Sequence, residues 1–126
     1  KAPGASDIAG LISEARRIGF DITVHGLEDL PTESDELYQF TVYRVVQEIL
    51  TNMLKHSRDR RGVLRFRSTG NGLVLSADNP AARTPDNHKP GYGLIGMSER
   101  VKAYGGSVAT RTEDGHFFIT VEVPND

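Results

Sequence analysis

Two stretches of this chain must each fold back on themselves, and nothing else in it restricts the fold as much. In "GVLRFRSTGNGLVLSADN", residues 62–79, Leu64 and Phe66 alternate with Arg65 and Arg67, Asn71-Gly72 supplies a turn, and "LVLSA" returns. In "SVATRTEDGHFFITVEVP", residues 107–124, the turn is Asp114-Gly115, and Phe117, Ile119, Val121 and Val123 share one face. Strands joined by Asn-Gly or Asp-Gly turns run antiparallel. A wholly parallel, doubly wound sheet is therefore excluded.

The remaining segments fit around these hairpins. "SDIAGLISEARRIG" carries Ile8, Leu11, Ile12 and Ala15 at helical spacing, and Gly19 sits where a helix would stop. "FDITVHG" alternates as a short strand, and "LEDLPTESDE" reads as a polar loop. From about Glu36 to His56, Val42, Val45, Val46, Ile49 and Met53 recur at three and four, the longest helical signal in the chain. Residues 80–92 hold three prolines and no periodicity, which predicts a long loop. "GLIGMSERVKAYGG" follows as a helix ended by Gly105 and Gly106. The order α, β, α, ββ, loop, α, ββ predicts an α+β domain of two layers. Its sheet would be mixed, mostly antiparallel and about five-stranded, with three helices on one face.

At 126 residues the chain is long enough for one domain with a sizeable core. A net charge of −2 lacks the basic surplus of a nucleic-acid binder. The arginines of "RDRRGVLRFR" alternate with Val63, Leu64 and Phe66, which makes them a solvated strand face. Cysteine is absent, so there is no disulfide framework and no thiolate metal site, as suits the cytoplasm. No apolar run approaches the ~20 residues of a membrane helix, so no direct membrane contact is expected. A chain opening at Lys1 reads as a piece of a longer protein.

Chemistry concentrates in three places. Along "YRVVQEILTNMLKHS", Arg44, Glu48, Asn52 and Lys55 are spaced four, four and three apart and form one stripe. At ~100° per residue that stripe borders the apolar face, where the wall of a cleft would be. Asn52 can offer an oxygen to Mg²⁺, Glu48 can orient or deprotonate a water, and Lys55 can neutralise phosphate. A plain surface network of i,i+4 pairs satisfies the same spacing. "LVLSADNPA" delivers Asp78 and Asn79 at the mouth of an apolar strand, where Asp78 can accept a hydrogen bond from a ligand amine or simply start a loop.

The third place is "KPGYGLIGMSERV", which contains a G-x-G-x-x-G string at Gly91, Gly93 and Gly96. A dinucleotide fold needs a strand directly before the first glycine, and "TPDNHKP" cannot be one. A protein-kinase glycine loop needs H-R-D and D-F-G motifs downstream, and neither follows. The string fits a mobile loop whose glycines open a helix, leaving N–H groups and the helix dipole for an anion.

Together the three stretches resemble the ATP-binding domain of bacterial sensor histidine kinases, within the gyrase, Hsp90, histidine kinase and mismatch-repair ATPase superfamily. "YRVVQEILTNMLKHS" is similar to that family's asparagine box and "ADNP" to its D-x-G box. "GYGLIGMSERV" is close to the form found in the nitrate-sensor-like subgroup, as is the opening "LISEARRIGFDITVHG". The resemblance implies the Bergerat-type ATP-binding fold, with ATP and Mg²⁺ as ligands. Asn52 would hold the metal, Glu48 would be the acidic member of its box, and Lys55 and His56 would meet phosphates. Asp78 would bind the adenine amine with Asn79 beside it. Gly91, Tyr92, Gly93, Leu94, Gly96 and Met97 would bracket the triphosphate, and residues 80–92 would form a lid.

The resemblance also implies partners: a phosphoacceptor and dimerisation domain of the same protein, and a response regulator. No helix pair for the former fits in this chain, so autophosphorylation alone is not expected. Two departures touch the base pocket. Pro80 stands where the family has glycine, and His116-Phe117 where it commonly has Gly-Thr. Both predict weakened nucleotide affinity. They keep open a degenerate domain acting as a protein–protein module, beside an anti-sigma-factor serine kinase of the same fold.

Overall fold

The computed structural model describes residues 2–81 and 92–125, with the backbone alone at 92 and 93. After a single 3-10 turn at Ala5–Asp7 comes α1 (Ile8–Arg17), whose Ile8, Ile12 and Ala15 are buried. Gly19 takes a positive φ of 94° and turns the chain so that Phe20 is buried just before β1 (Asp21–His25). The polar segment that follows is irregular except for a 3-10 turn at Leu27–Asp29.

Helix α2 (Glu36–His56) has the predicted bounds. The Asp35 carboxylate caps it by accepting the Tyr38 N–H at 2.8 Å. Strands β2 (Arg61–Thr69) and β3 (Gly72–Pro80) form the first hairpin, and Thr69 pairs with Gly72. The two linking residues are therefore Gly70-Asn71, one position before the expected turn. Helix α3 (Tyr92–Lys102) precedes the second hairpin, β4 (Ser107–Glu113) and β5 (His116–Pro124). Asp114 and Gly115 there both have positive φ, 52° and 75°, which matches the twist of the strands it joins.

The five strands lie in the order β1-β2-β3-β5-β4. β1 and β2 are parallel neighbours linked through α2, and every other pairing is antiparallel. Strand alternation sends Ile22, Leu64, Phe66, Leu73, Leu75, Ala77, Ile119, Val121 and Val123 into one core with the apolar faces of the helices. Val42, Val45 and Val46 of α2 are fully enclosed in it. The expected two-layer α+β architecture is the one observed.

Tyr38, in the first turn of α2, fixes how the helices lie. Its ring is fully buried, and its hydroxyl donates to the Val123 carbonyl of β5. The ring meets that of Tyr104, just past the end of α3, edge-on at 5.4 Å. The end of α3 thus packs on the start of α2.

The turn after β1 tolerates only glycine. Gly26 has φ 82°, and a Cβ there would stand 2.0 Å from the Phe66 carbonyl oxygen of β2. Gly26→Ala should cost about 2–4 kcal/mol in urea unfolding. Gly10→Ala, on α1 with nothing within 4 Å of the new carbon, should be neutral or stabilise by up to about 1 kcal/mol.

Candidate functional site

Helix α3 packs on α2, the helix that carries the polar stripe. Eleven residues of α3 span about 16 Å at ~1.5 Å each. The polar stripe of α2 is on that side. Tyr43 lines a cleft with Gly10 and Leu11, which places it on the α1 flank. Asn52 is nine residues on, about 180° around the helix from Tyr43, and so on the α3 flank.

The stripe borders the core as expected. Arg44 and Glu48 stand 3.9 Å apart, their side chains 33% and 21% exposed. Asn52 is half-buried, while Lys55 and His56 are exposed on the last turn. Among the described residues, the buried Nδ2 of Asn52 and Nε of Arg44 have no hydrogen-bond partner. An unmade bond at a buried donor costs roughly 1–3 kcal/mol, a cost that a ligand can remove.

On α3, Met97 is fully buried and Leu94 packs against the core. Gly96 leaves room for Arg100, since a Cβ at 96 would lie 3.5 Å from Nη1 of that guanidinium. Nη1 is also buried without a partner among the described residues. Arg100 is a residue the sequence reading overlooked. Its signal was a glycine four positions before an arginine, one helical turn away on the same face. Gly91 and most of the expected lid lie outside the described residues. Pro80 and Ala81, placed in that lid by sequence, instead belong to the sheet: Pro80 ends β3, and Ala81 forms a bridge with Ser57.

The mouth of β3 is tied to the end of α2. The Arg58 N–H donates to the Pro80 carbonyl at 2.8 Å, and the Ala81 N–H to the Gly115 carbonyl at 2.8 Å. Here the two acid-box residues part company. Asn79 follows Leu73, Leu75 and Ala77 in parity and lies on the helix side, 5% exposed, opposite Phe117 of β5.

Asp78 lies on the other face of the sheet, between Val63 and Phe118. Its carboxylate accepts from Arg65 Nη1 at 2.7 Å and lies 2.8 Å from His116 Nε2. Asp78 therefore lies on the sheet face away from the helices, whereas the adenine expectation called for the face of α2. The reason is the two-residue period of a strand: the D-x-G resemblance chose one residue, and alternation chose its neighbour.

No family model matches the chain. The signal transduction histidine-protein kinase/phosphatase UhpB of Salmonella typhimurium is 34% identical over 85 residues, covering 67% of this chain and 17% of that protein. The sensor histidine kinase ComP of Bacillus subtilis is 31% identical over 84 residues, covering 64% and 11%. By sequence and fold together, the chain belongs to the sensor histidine kinase family. The blue-light-activated histidine kinase of Erythrobacter litoralis matches with a TM-score of 0.75 at 17% identity, over 97% of this chain and 42% of that one. The catalytic domain of the histidine kinase ThkA matches at 0.68 and 14% identity, over 95% and 88%. This histidine kinase chain thus spans less than a fifth of the curated relatives it matches. None of its described helices is long and apolar enough to cross a membrane.

Asp78 should act on stability. Burial pushes its pKa up, but the Arg65 hydrogen bond, and then His116, outweigh burial and hold it below the usual carboxylate value. A depressed carboxylate stabilises the fold above its unfolded pKa of about 3.9, and that contribution is lost as pH falls through the folded value. Asp78→Asn should therefore lower Tm at pH 7, and its deficit against wild type should shrink as pH drops below about 4. A deficit independent of pH would refute the ion-pair account.

Proposed function

We propose that this histidine kinase domain binds Mg-ATP between the second half of α2, the start of α3 and the mouths of β3 and β5. In its parent it would donate the γ-phosphate to a histidine on a separate dimerisation domain, for relay to a response regulator. The observation that carries the reading is the packing of α3 on α2, the helix that bears the polar stripe. Beside it stands the half-buried Asn52, whose Nδ2 has no hydrogen-bond partner among the described residues; the first turn of α3 would bring its N–H groups to that side.

The residues present fit such a ligand. The half-buried Asn52 would hold the metal through its carboxamide oxygen, while Glu48, restrained by Arg44, would orient the water around it. Lys55 and His56, exposed on the last turn, would approach the phosphates, and Arg100 adds a buried guanidinium on α3. Tyr92, Gly93, Leu94, Gly96 and Met97 belong to the first turns of α3, with Gly91 just before in the sequence, and would bracket the triphosphate. Mg²⁺ bound there would neutralise charge on the transferring phosphoryl group; the chain's own part is positioning. The domain is read as one unit acting in the cytoplasm, without nucleic-acid partners.

A second reading, a degenerate module that binds protein in place of nucleotide, draws on Phe117, which packs on the core directly across from Asn79. The serine-kinase alternative loses ground because the two similar curated proteins are histidine kinases.

Calorimetric titration with Mg²⁺ and a non-hydrolysable ATP analogue separates these readings. Wild type should bind with Kd weaker than about 1 μM, given Pro80 and Phe117 in the base pocket. Asn52→Ala should weaken binding by at least about tenfold and remove its dependence on Mg²⁺. No heat of binding in a folded wild type would establish the degenerate module. The isolated chain incubated with labelled ATP should incorporate no phosphate, but should label an added phosphoacceptor domain of its parent.

A further inference from the structure

We infer that the connection from α1 to β1, with the arginines around it, docks an acidic segment of a partner protein. The inference does not depend on the nucleotide-binding reading above.

Two guanidiniums there are held in a way that leaves their charge intact. Arg16, in the last turn of α1, donates from Nε and Nη2 to the Ile22 carbonyl at 3.2 and 2.7 Å. Arg60 donates from Nη2 to the Ile18 carbonyl at 2.7 Å. Among the described residues neither forms an ion pair, whereas Arg17 pairs with Glu14, and Arg58 and Arg61 share Asp59. A backbone carbonyl fixes an arginine without cancelling its charge. Nη1 of both, and Nε of Arg60, are left for an outside carboxylate. The two anchoring carbonyls lie four residues apart, at most about 14 Å along an extended chain. An acidic segment spans that distance with a few residues.

The backbone presets this arrangement. Arg60 has a φ of 53°, in the left-handed region that a residue other than glycine seldom occupies. Its carbonyl accepts the Asp21 N–H at 2.9 Å. Its guanidinium lies beside Gly19, where a Cβ would stand 3.5 Å from Nη2. Guanidiniums already fixed lose little freedom when a carboxylate arrives.

Charge and composition point to protein as the occupant. Arg16, Arg17, Arg58, Arg60 and Arg61 stand against three acids, Glu14, Asp21 and Asp59, in a chain whose net charge is −2. The basic excess is therefore local and complements an acidic surface. Ile18, whose carbonyl anchors Arg60, is 47% exposed. An apolar side chain among arginines suits a protein contact, where such residues form the anchors. A nucleic acid would need an aromatic platform for its bases, and Phe20 is buried. One isoleucine offers too little apolar area to hold a membrane surface.

The test is an amide-resolved NMR titration of the chain with an eight-residue peptide of glutamate and aspartate around one leucine. Saturable binding should shift the amides of residues 16–21 and 58–61, and should weaken at least about tenfold between about 20 and 200 mM salt. Saturating Mg-ADP should not compete. The double variant Arg16→Gln, Arg60→Gln should bind at least about tenfold more weakly. Because those arginines also satisfy carbonyls, Ile18→Glu at an exposed position provides a second variant that keeps the fold, and it should abolish binding. Arg67→Gln, on the outer sheet face, should bind as wild type does. Unchanged binding in Ile18→Glu, or in a folded double variant, overturns the inference and leaves the arginines as caps of backbone carbonyls. Shifts centred on α3, or competition by Mg-ADP, overturn it as well. Tighter binding to phosphatidylserine vesicles or to duplex DNA than to the peptide overturns the choice of protein. Self-association at low salt that Ile18→Glu removes gives the surface to the five acids of residues 27–36 in a second copy, which overturns an outside partner.

Discussion

Tyr38 holds together the geometry that the rest of the domain uses. It is a tyrosine buried at the first turn of a helix, and such a residue needs a partner for its hydroxyl. The Val123 carbonyl at the far end of β5 meets that need and anchors α2 across the sheet. The same ring receives Tyr104 edge-on, which fixes where α3 ends and hence where it begins. The end of α2 and the mouth of β3 are joined by the Arg58 N–H to Pro80 carbonyl bond, although they lie far apart along the chain.

The two faces of the sheet do different work. The helix side is apolar up to the last residues of β3, where Asn79 and Phe117 stand side by side. The outer side carries Arg65, Asp78, His116, Arg111 and Phe118, satisfied by ion pairs, a hydrogen bond and a guanidinium stacked on a ring. A carboxylate on that side stabilises the fold and is remote from the cleft wall formed by α2. Adjacent residues with similar polarity thus acquire separate roles through which way a strand turns them.

Much of this was legible beforehand. The bounds of α2 follow from its apolar spacing, and both hairpins follow from Gly and Asn or Asp at their turns. The count, type and layering of the elements followed from those two signals. The polar stripe of Arg44, Glu48, Asn52 and Lys55 was legible because helical geometry relates distant positions by a fixed angle. Asp78 was misplaced because a motif is matched by residue order, whereas a face is decided by register against β2 and β5. The parity of Leu73, Leu75 and Ala77 held that information, outweighed by the resemblance of "ADNP" to a family box.

The sequence by itself determined the α+β class, the helix and strand inventory, the stripe on α2 and the family, because each depends on local periodicity or on residues in order. Only the tertiary structure decided that α3 packs on α2, that Nη1 of Arg100 is buried without a partner among the described residues, and that Asn79 and not Asp78 lies on the helix side. Those three facts depend on contacts between residues far apart in the chain, set by how a buried ring and an apolar strand face find partners. No local pattern encodes them.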